Sequence, residues 1–155
     1  ILSYFLHLTG AKPDSHPATY RCLMMADAIA VMVVMHYKGV HDRPRPNQIC
    51  PALFPPMEVP GHPAYPSGHS TQAHVSALIL KSLMPKAKAD AFEPVMVALA
   101  NRSARNREIA GVHYESDSIA GRNLAVALVD WIGKMPKPPR SIIASTMAAA
   151  KMEWA

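Results

Sequence analysis

Three short segments of this chain concentrate residues able to grip an anion and move protons around it: Lys38–Pro46 (KGVHDRPRP), Pro66–His69 (PSGH) and Arg107–Asp117 (REIAGVHYESD). In the second, a Pro-Ser-Gly turn opens a run with helical periodicity. A helix start exposes unpaired N–H groups and the positive end of the helix dipole, and together these hold oxyanions. Ser67 can add a hydroxyl donor, Gly68 lets the backbone approach an oxygen closely, and His69 sits in the first turn, where it can give a proton to a leaving oxygen. The same turn also reads as plain helix capping. In the third segment Asp117 lies one helical turn after His113. A carboxylate on one imidazole nitrogen fixes the tautomer and raises the basicity of the other, which is then free to act as nucleophile or to coordinate the central atom of an oxyanion. Equally, Asp117 can simply cap a helix while His113 fills a polar niche. Lys38, Arg45 and Arg107 suit the remaining oxygens of a tetrahedral anion, guanidinium in bidentate fashion. Each of them alone also reads as a solvated surface charge. Arg43-Pro44 duplicates the Arg45-Pro46 dipeptide and competes with it for that role.

Helices must position these segments. After the apolar stretch Ile1–Ala11, a turn at Lys12–Ser15 precedes a helix that starts near Pro17 and runs to about Lys38, with Gly39 as its terminator. His41–Pro66 carries eight prolines, so no long helix crosses it, and a loop of this length inside a compact domain is commonly functional. Helical patterning returns over His69–Met84 and over Ala91–Ile109, the latter with Glu93-Pro94 in its first turn. Gly111–Glu115 breaks the pattern, and Ser116 or Asp117 can cap a helix that runs to about Ile132. Gly133–Pro139 reads as a linker before a last helix over Arg140–Trp154. No hairpin signal separates alternating strands. The expected class is all-α: a single domain over 1–155, a bundle of five or six helices with a long Pro-rich loop.

Bulk composition narrows the ligand. With 155 residues, half of them apolar, the chain can bury one substantial core. A net charge of +5 favours anionic ligands. Nucleic acid is disfavoured, because no Lys/Arg-rich stretch is interleaved with aromatics and only 6% of residues are aromatic. The most apolar run, Cys22–Tyr37, is shorter than the roughly 20 residues a bilayer requires and contains Asp27. Contact with a membrane is therefore left open without being indicated. The chain begins with Ile rather than Met, which suggests a piece of a longer or processed protein.

What raises these segments above their bland readings is their conjunction and order: Lys38, six residues, Arg45-Pro46; then Pro66-Ser67-Gly68-His69; then Arg107, five residues, His113, three residues, Asp117. In this the sequence resembles the type 2 phosphatidic acid phosphatase and vanadium haloperoxidase superfamily over Lys38–Asp117, about half the chain. The resemblance selects Arg45 over Arg43, since only Arg45 has the family spacing from Lys38. One departure is that Asn106 precedes Arg107 where the family usually has Ser.

The resemblance implies a helical bundle with an oxyanion caged among its helices. Lys38, Arg45 and Arg107 would bind non-reacting oxygens, with Ser67 and Gly68 as further donors. His113, oriented by Asp117, would attack phosphorus to give a phosphohistidine, and His69 would protonate the leaving group and then activate water. No cofactor is needed in this phosphatase version. The alternative holds vanadate on His113 and oxidises a halide with peroxide. His62, in the run His62-Pro63-Ala64-Tyr65 before the Pro-Ser-Gly-His motif, is similar to a position near the cofactor in some bromoperoxidases. A third alternative is a non-catalytic helical module that binds an anion. Relatives with phosphatase activity suggest a periplasmic or secreted location. His36, His41 and His74 invite a metal reading, but no pair has zinc-site spacing. The ten methionines read as core filler. Cys22 and Cys50 can pair or stay free.

Overall fold

A computed structural model describes residues 1–136 and 141–155. Among these the chain is helical without strands: α1 (Leu2–Thr9), α2 (Pro17–His41), a single turn α3 (Pro46–Ile49), α4 (Gly68–Leu83), α5 (Lys86–Ile109), α6 (Glu115–Gly133) and α7 (Ile142–Met152). Setting aside the one-turn α3, the bundle has the size and class expected from the sequence.

α4 is the hub. Ala73, Val75, Ala77, Ile79, Leu80 and Leu83 bury an apolar circumference, and even its small polar residues Ser70, Thr71 and Ser76 are enclosed. A helix apolar on nearly all sides must be surrounded, and α2, α5 and α6 pack around this one, with α7 closing over α2. α2 begins without a capping side chain of its own. The cap comes from the far end of the chain, where the Glu153 carboxylate accepts from Ala18 N at 2.7 Å and from Thr19 N and Oγ1 at 2.8 Å. A carboxylate at this end of a helix satisfies orphan N–H groups and complements the dipole.

Several boundaries differ from expectation for identifiable reasons. Gly39 does not end α2. The helix runs on to His41 and is stopped by Asp42, left-handed at φ 42°, whose N–H closes onto the Lys38 carbonyl; Asp tolerates that conformation better than most residues. The extension matters for composition too. By length and composition alone the helical stretch Pro17–Ile49, which contains α2, is long and apolar enough to cross a bilayer. In the fold, one of its faces is buried in the bundle while Met24, Val31, Met32, Met35 and Val40 remain outside. Some methionines therefore line the surface rather than fill the core. α5 starts at Lys86, not Ala91, and carries Pro94 in its interior. Packing against α4 outweighs the one backbone bond that Pro94 removes. α6 opens at Glu115 behind Tyr114, ahead of the expected cap. α7 is capped by Ser141, which accepts from Ala144 N at 3.3 Å. Arg140, the expected start of α7, and Lys137–Pro139 of the expected linker lie outside the described residues. Cys22 is buried and Cys50 exposed, and they are not bonded to each other.

Candidate active site

The α4 and α6 starts are held together by backbone and small side chains. Ser67 N donates to the Asp117 carbonyl at 3.0 Å, and Ser70 Oγ donates to the Ser118 carbonyl at 2.7 Å. Their closeness depends on Gly121, on the face of α6 turned to α4. A Cβ there would lie 2.6 Å from the Ser67 carbonyl oxygen and 2.9 Å from Ser70 Cβ. The α5–α6 connection turns through Gly111 at φ 69°, a conformation that favours glycine. It brings His113 to the same end of the bundle.

The Pro-rich loop is fastened there by cations. Prolines cannot donate and leave local carbonyls without partners. Lys38 Nζ donates to the Pro63 and Ala64 carbonyls at 2.6 and 2.9 Å. Arg45 Nε donates to the His62 carbonyl at 2.9 Å, and its Nη1 to the Val112 carbonyl at 2.7 Å. Arg45 Nη2 lies 3.1 Å from His62 Nδ1. His62 Nδ1 also lies 3.2 Å from the Pro63 carbonyl, so this nitrogen stands between a guanidinium donor and a carbonyl acceptor. Burial first, then nearby Lys38 and Arg45, hold the His62 pKa below its ordinary value, against the pull of the Pro63 carbonyl.

Between these elements lies a cavity of about 130 Å³ lined by Lys38, Arg45, His62, Gly68, His69, Gln72, Arg107 and His113, with Val31, Val34, Met35 and Pro60 along one side. At about 30 Å³ per water in the liquid, that is room for a few waters or a small tetrahedral anion. Its lining includes no carboxylate. Arg107 is buried, one Nη meets Met57 Sδ at 2.9 Å, and its Nε has no acceptor among the described residues. A buried guanidinium N–H without a partner is costly. Arg107, in the cavity lining, thus keeps one donor unused among the described residues.

The histidines face this cavity in distinct states. His113 Nδ1 lies 3.1 Å from Asp117 Oδ2, which also accepts from Tyr114 N at 3.0 Å. Asp117 thus takes both the α6 N-terminal N–H of Tyr114 and the His113 imidazole on one oxygen. As the fully buried carboxylate accepts from Nδ1–H, the neutral His113 presents Nε2 as its lone-pair nitrogen. Burial lowers the His113 pKa, and Lys38 and Arg45 lower it further, against the pull of Asp117. Burial raises the Asp117 pKa, but the hydrogen bonds from His113 and Tyr114 N outweigh it and keep the carboxyl below its usual range. His69 is pushed down to about 4, by burial first and then by Arg107 and His113. Burial and Arg45 bring Lys38 to about 8. Several cationic or potentially cationic groups therefore share one small space and disfavour one another's charge. An entering anion relieves that conflict.

The structure brings Lys38, Arg45, His62, Gly68, His69, Arg107 and His113 to this one cavity. Asp117 stands behind His113, whereas Ser67 does not line the cavity: it is fully buried, and its Oγ accepts from Ser70 N at 3.4 Å as the α4 cap. Gly68 has no steric need to be glycine, since a Cβ would meet Val34 at an ordinary 3.6 Å. Asn106 turns outward to accept from Arg102 at 3.0 Å and does not reach the cage. His74 is held by the Ser70 carbonyl and Asn101, while His36 and His41 are exposed. Three contributors escaped the sequence reading: Gln72, Met57 and Arg43. Arg43 lies beside the cavity, 2.7 Å from Asp117 Oδ1. Only its proximity to Arg45 in sequence drew notice to it.

Among the described residues the fold is all-helical, and its cavity is lined by lysine, arginine and histidine side chains from several helices and the Pro-rich loop. The chain belongs to the PAP2 superfamily, whose family model matches residues 17–138. No curated protein matches the chain.

Proposed function

We propose that the protein hydrolyses phosphoric monoesters through a phosphohistidine on His113. The observation that carries this reading is a carboxylate-free cationic cavity in which Arg107 Nε lacks an acceptor and His113 offers Nε2, its Nδ1 engaged by Asp117. Lys38, Arg45 and Arg107, with the Gly68 backbone, neutralise the non-reacting oxygens, the electrostatic contribution that dominates much of catalysis. Ser67 supports them by holding the α4 start. His113 Nε2 forms a bond to phosphorus as the ester P–O bond breaks. His69 gives its proton to the departing alkoxide. It then takes a proton from water, whose oxygen displaces His113 and releases phosphate. His69 is neutral in the empty cage above about pH 4. The negative charge of the arriving ester favours its protonated form and so loads the acid with substrate in place.

One observation favours a second reading. His62 lines the cavity and is tied to Arg45, the neighbourhood a haloperoxidase would use. The cage suits vanadate as it suits phosphate, with His113 as the coordinating residue and Lys38, Arg45 and Arg107 on the oxygens. When bound, vanadate supplies activation of peroxide for halide oxidation.

The test is the purified protein assayed with p-nitrophenyl phosphate, and separately with vanadate, peroxide and bromide. We expect phosphate release, lost in His113→Ala, and a phosphorylated histidine trapped by rapid alkaline quench. Bromide oxidation alone would replace this reading with the second. Neither activity would leave a non-catalytic anion-binding module, and turnover unchanged in His113→Ala would remove His113 as the nucleophile.

A further inference from the structure

Arg43 has no place in the motif spacing, yet it makes three contacts with the segment that carries the proposed nucleophile. Its Nη1 donates to Asp117 Oδ1 at 2.7 Å and to Ser116 Oγ at 2.7 Å, and its guanidinium carbon lies 4.1 Å from the centre of the Tyr114 ring. The division of the carboxylate is the telling feature. Oδ2 takes His113 Nδ1 and Tyr114 N, and Oδ1 takes Arg43. A carboxylate with both oxygens engaged cannot rotate about its terminal bond without breaking a charge-assisted contact. Asp117 is wholly buried, and a buried carboxylate without a cationic partner is expensive. Other charged or titratable groups share the site: Lys38 from α2, Arg45 at the start of α3, His62 from the loop, His69 from α4 and Arg107 from α5. Among the charged and titratable groups of the described residues, Arg43 and His113 are the two that hydrogen-bond the Asp117 carboxylate. Its own side chain is about a third exposed, and it does not line the cavity.

We propose that Arg43 is a positioning residue: it clamps the Asp117 carboxylate through Oδ1 so that Oδ2 stays aimed at His113 Nδ1 and Nε2 stays aimed into the cavity. Arg43 also links two parts of the site that the sequence keeps apart. Two residues before Arg45, it ties the loop that carries one cage cation to the start of α6. Stacking on Tyr114 holds the guanidinium plane, a task a lysine ammonium performs poorly.

This inference rests on His113 and Asp117 acting as proposed, and its test separates the two. Arg43→Ala is expected to lower kcat by about 10- to 100-fold, the usual cost of losing a partner that orients a reacting imidazole. KM and the inhibition constant of inorganic phosphate should change by less than about threefold, because Arg43 touches no cavity oxygen, a split that marks lost transition-state stabilisation. Arg43→Lys should recover only part of the loss. The double variant Arg43→Ala/Asp117→Asn should be no slower than Asp117→Asn alone, since residues acting through one another are not additive. Independently of turnover, the downfield His113 Nδ1–H proton resonance should shift or broaden in Arg43→Ala while helical circular dichroism is retained. An unmoved resonance, or additive losses in the double variant, overturns the clamp. If the protein proves inactive, the resonance still decides the matter, whereas failure of the phosphatase reading shows only in the assays of the unaltered protein.

Discussion

Gly121→Ala is the most direct test of how the site is assembled. In an unobstructed helix the change adds helix propensity and stabilises by up to about 1 kcal/mol. Here the new methyl would stand 2.6 Å from the Ser67 carbonyl oxygen, 2.9 Å from Ser70 Cβ and 3.1 Å from Thr71 Oγ1, against 3.4 Å for ordinary contact. Two of these atoms belong to or sit directly on the α4 backbone, so no rotamer change clears them. Relief requires α4 and α6 to separate by about 0.8 Å, the difference between that oxygen contact and an ordinary one. Overpacking of this kind costs about 1–3 kcal/mol, which cancels the propensity gain and leaves a net loss of up to about 2 kcal/mol. For a chain of this size the melting temperature should fall by up to about 8 °C. The same displacement opens the Ser67 N–Asp117 carbonyl bond and moves His69 relative to His113. A misplacement approaching 1 Å can cost about 100-fold in rate. Thermal melts and p-nitrophenyl phosphate turnover read both effects. Gly39→Ala, inside α2 with nothing near its Cβ position, should instead raise the melting temperature. A Gly121→Ala protein that melts higher and turns over normally would refute the close approach of α4 and α6 as the device that builds the site.

Other outcomes follow from the same geometry. In kcat/KM, which reports steps only through P–O cleavage, His69→Ala should spare esters with good leaving groups, such as p-nitrophenol, by at least tenfold relative to alkyl phosphates, because only poor leaving groups need a proton; equal losses in kcat/KM across a leaving-group series would contradict the acid role. With a folded pKa of about 4 against an ordinary 6.5, His69 binds fewer protons in the folded state than in the unfolded one between those values. Its contribution to stability is therefore full above about pH 6.5 and is lost as pH falls toward about 4, with the lowered His113 acting in the same direction. Melts between pH 7 and 4 should show this decline, weaker in His69→Asn and offset by bound phosphate; identical slopes in the two proteins would remove His69 as its cause.

How much of this was legible in the chain depends on what each residue needs from its neighbours. Helix existence is a local matter, set by apolar periodicity and by where Pro and Gly fall, so an all-α bundle with a Pro-rich interruption could be read directly. Helix ends are less local. Asp42 stopped α2 where Gly39 was expected, and packing on α4 carried α5 through Pro94. The family motif identified Lys38, Arg45, His69, Arg107, His113 and Asp117 because their types and spacings are specific. It said nothing of Glu153 capping α2 across 135 residues, of the space that Gly121 leaves for Ser67, or of Met57 meeting Arg107. Arg43 is the plainest case. Its spacing set it aside, and only the folded chain turns its guanidinium to the oxygen of Asp117 that His113 leaves open. Sequence fixes chemical type and local periodicity. Which donor meets which acceptor is decided when distant segments close on one cavity, because hydrogen bonds and steric contacts act over a few ångströms of space, however many residues of chain lie between them.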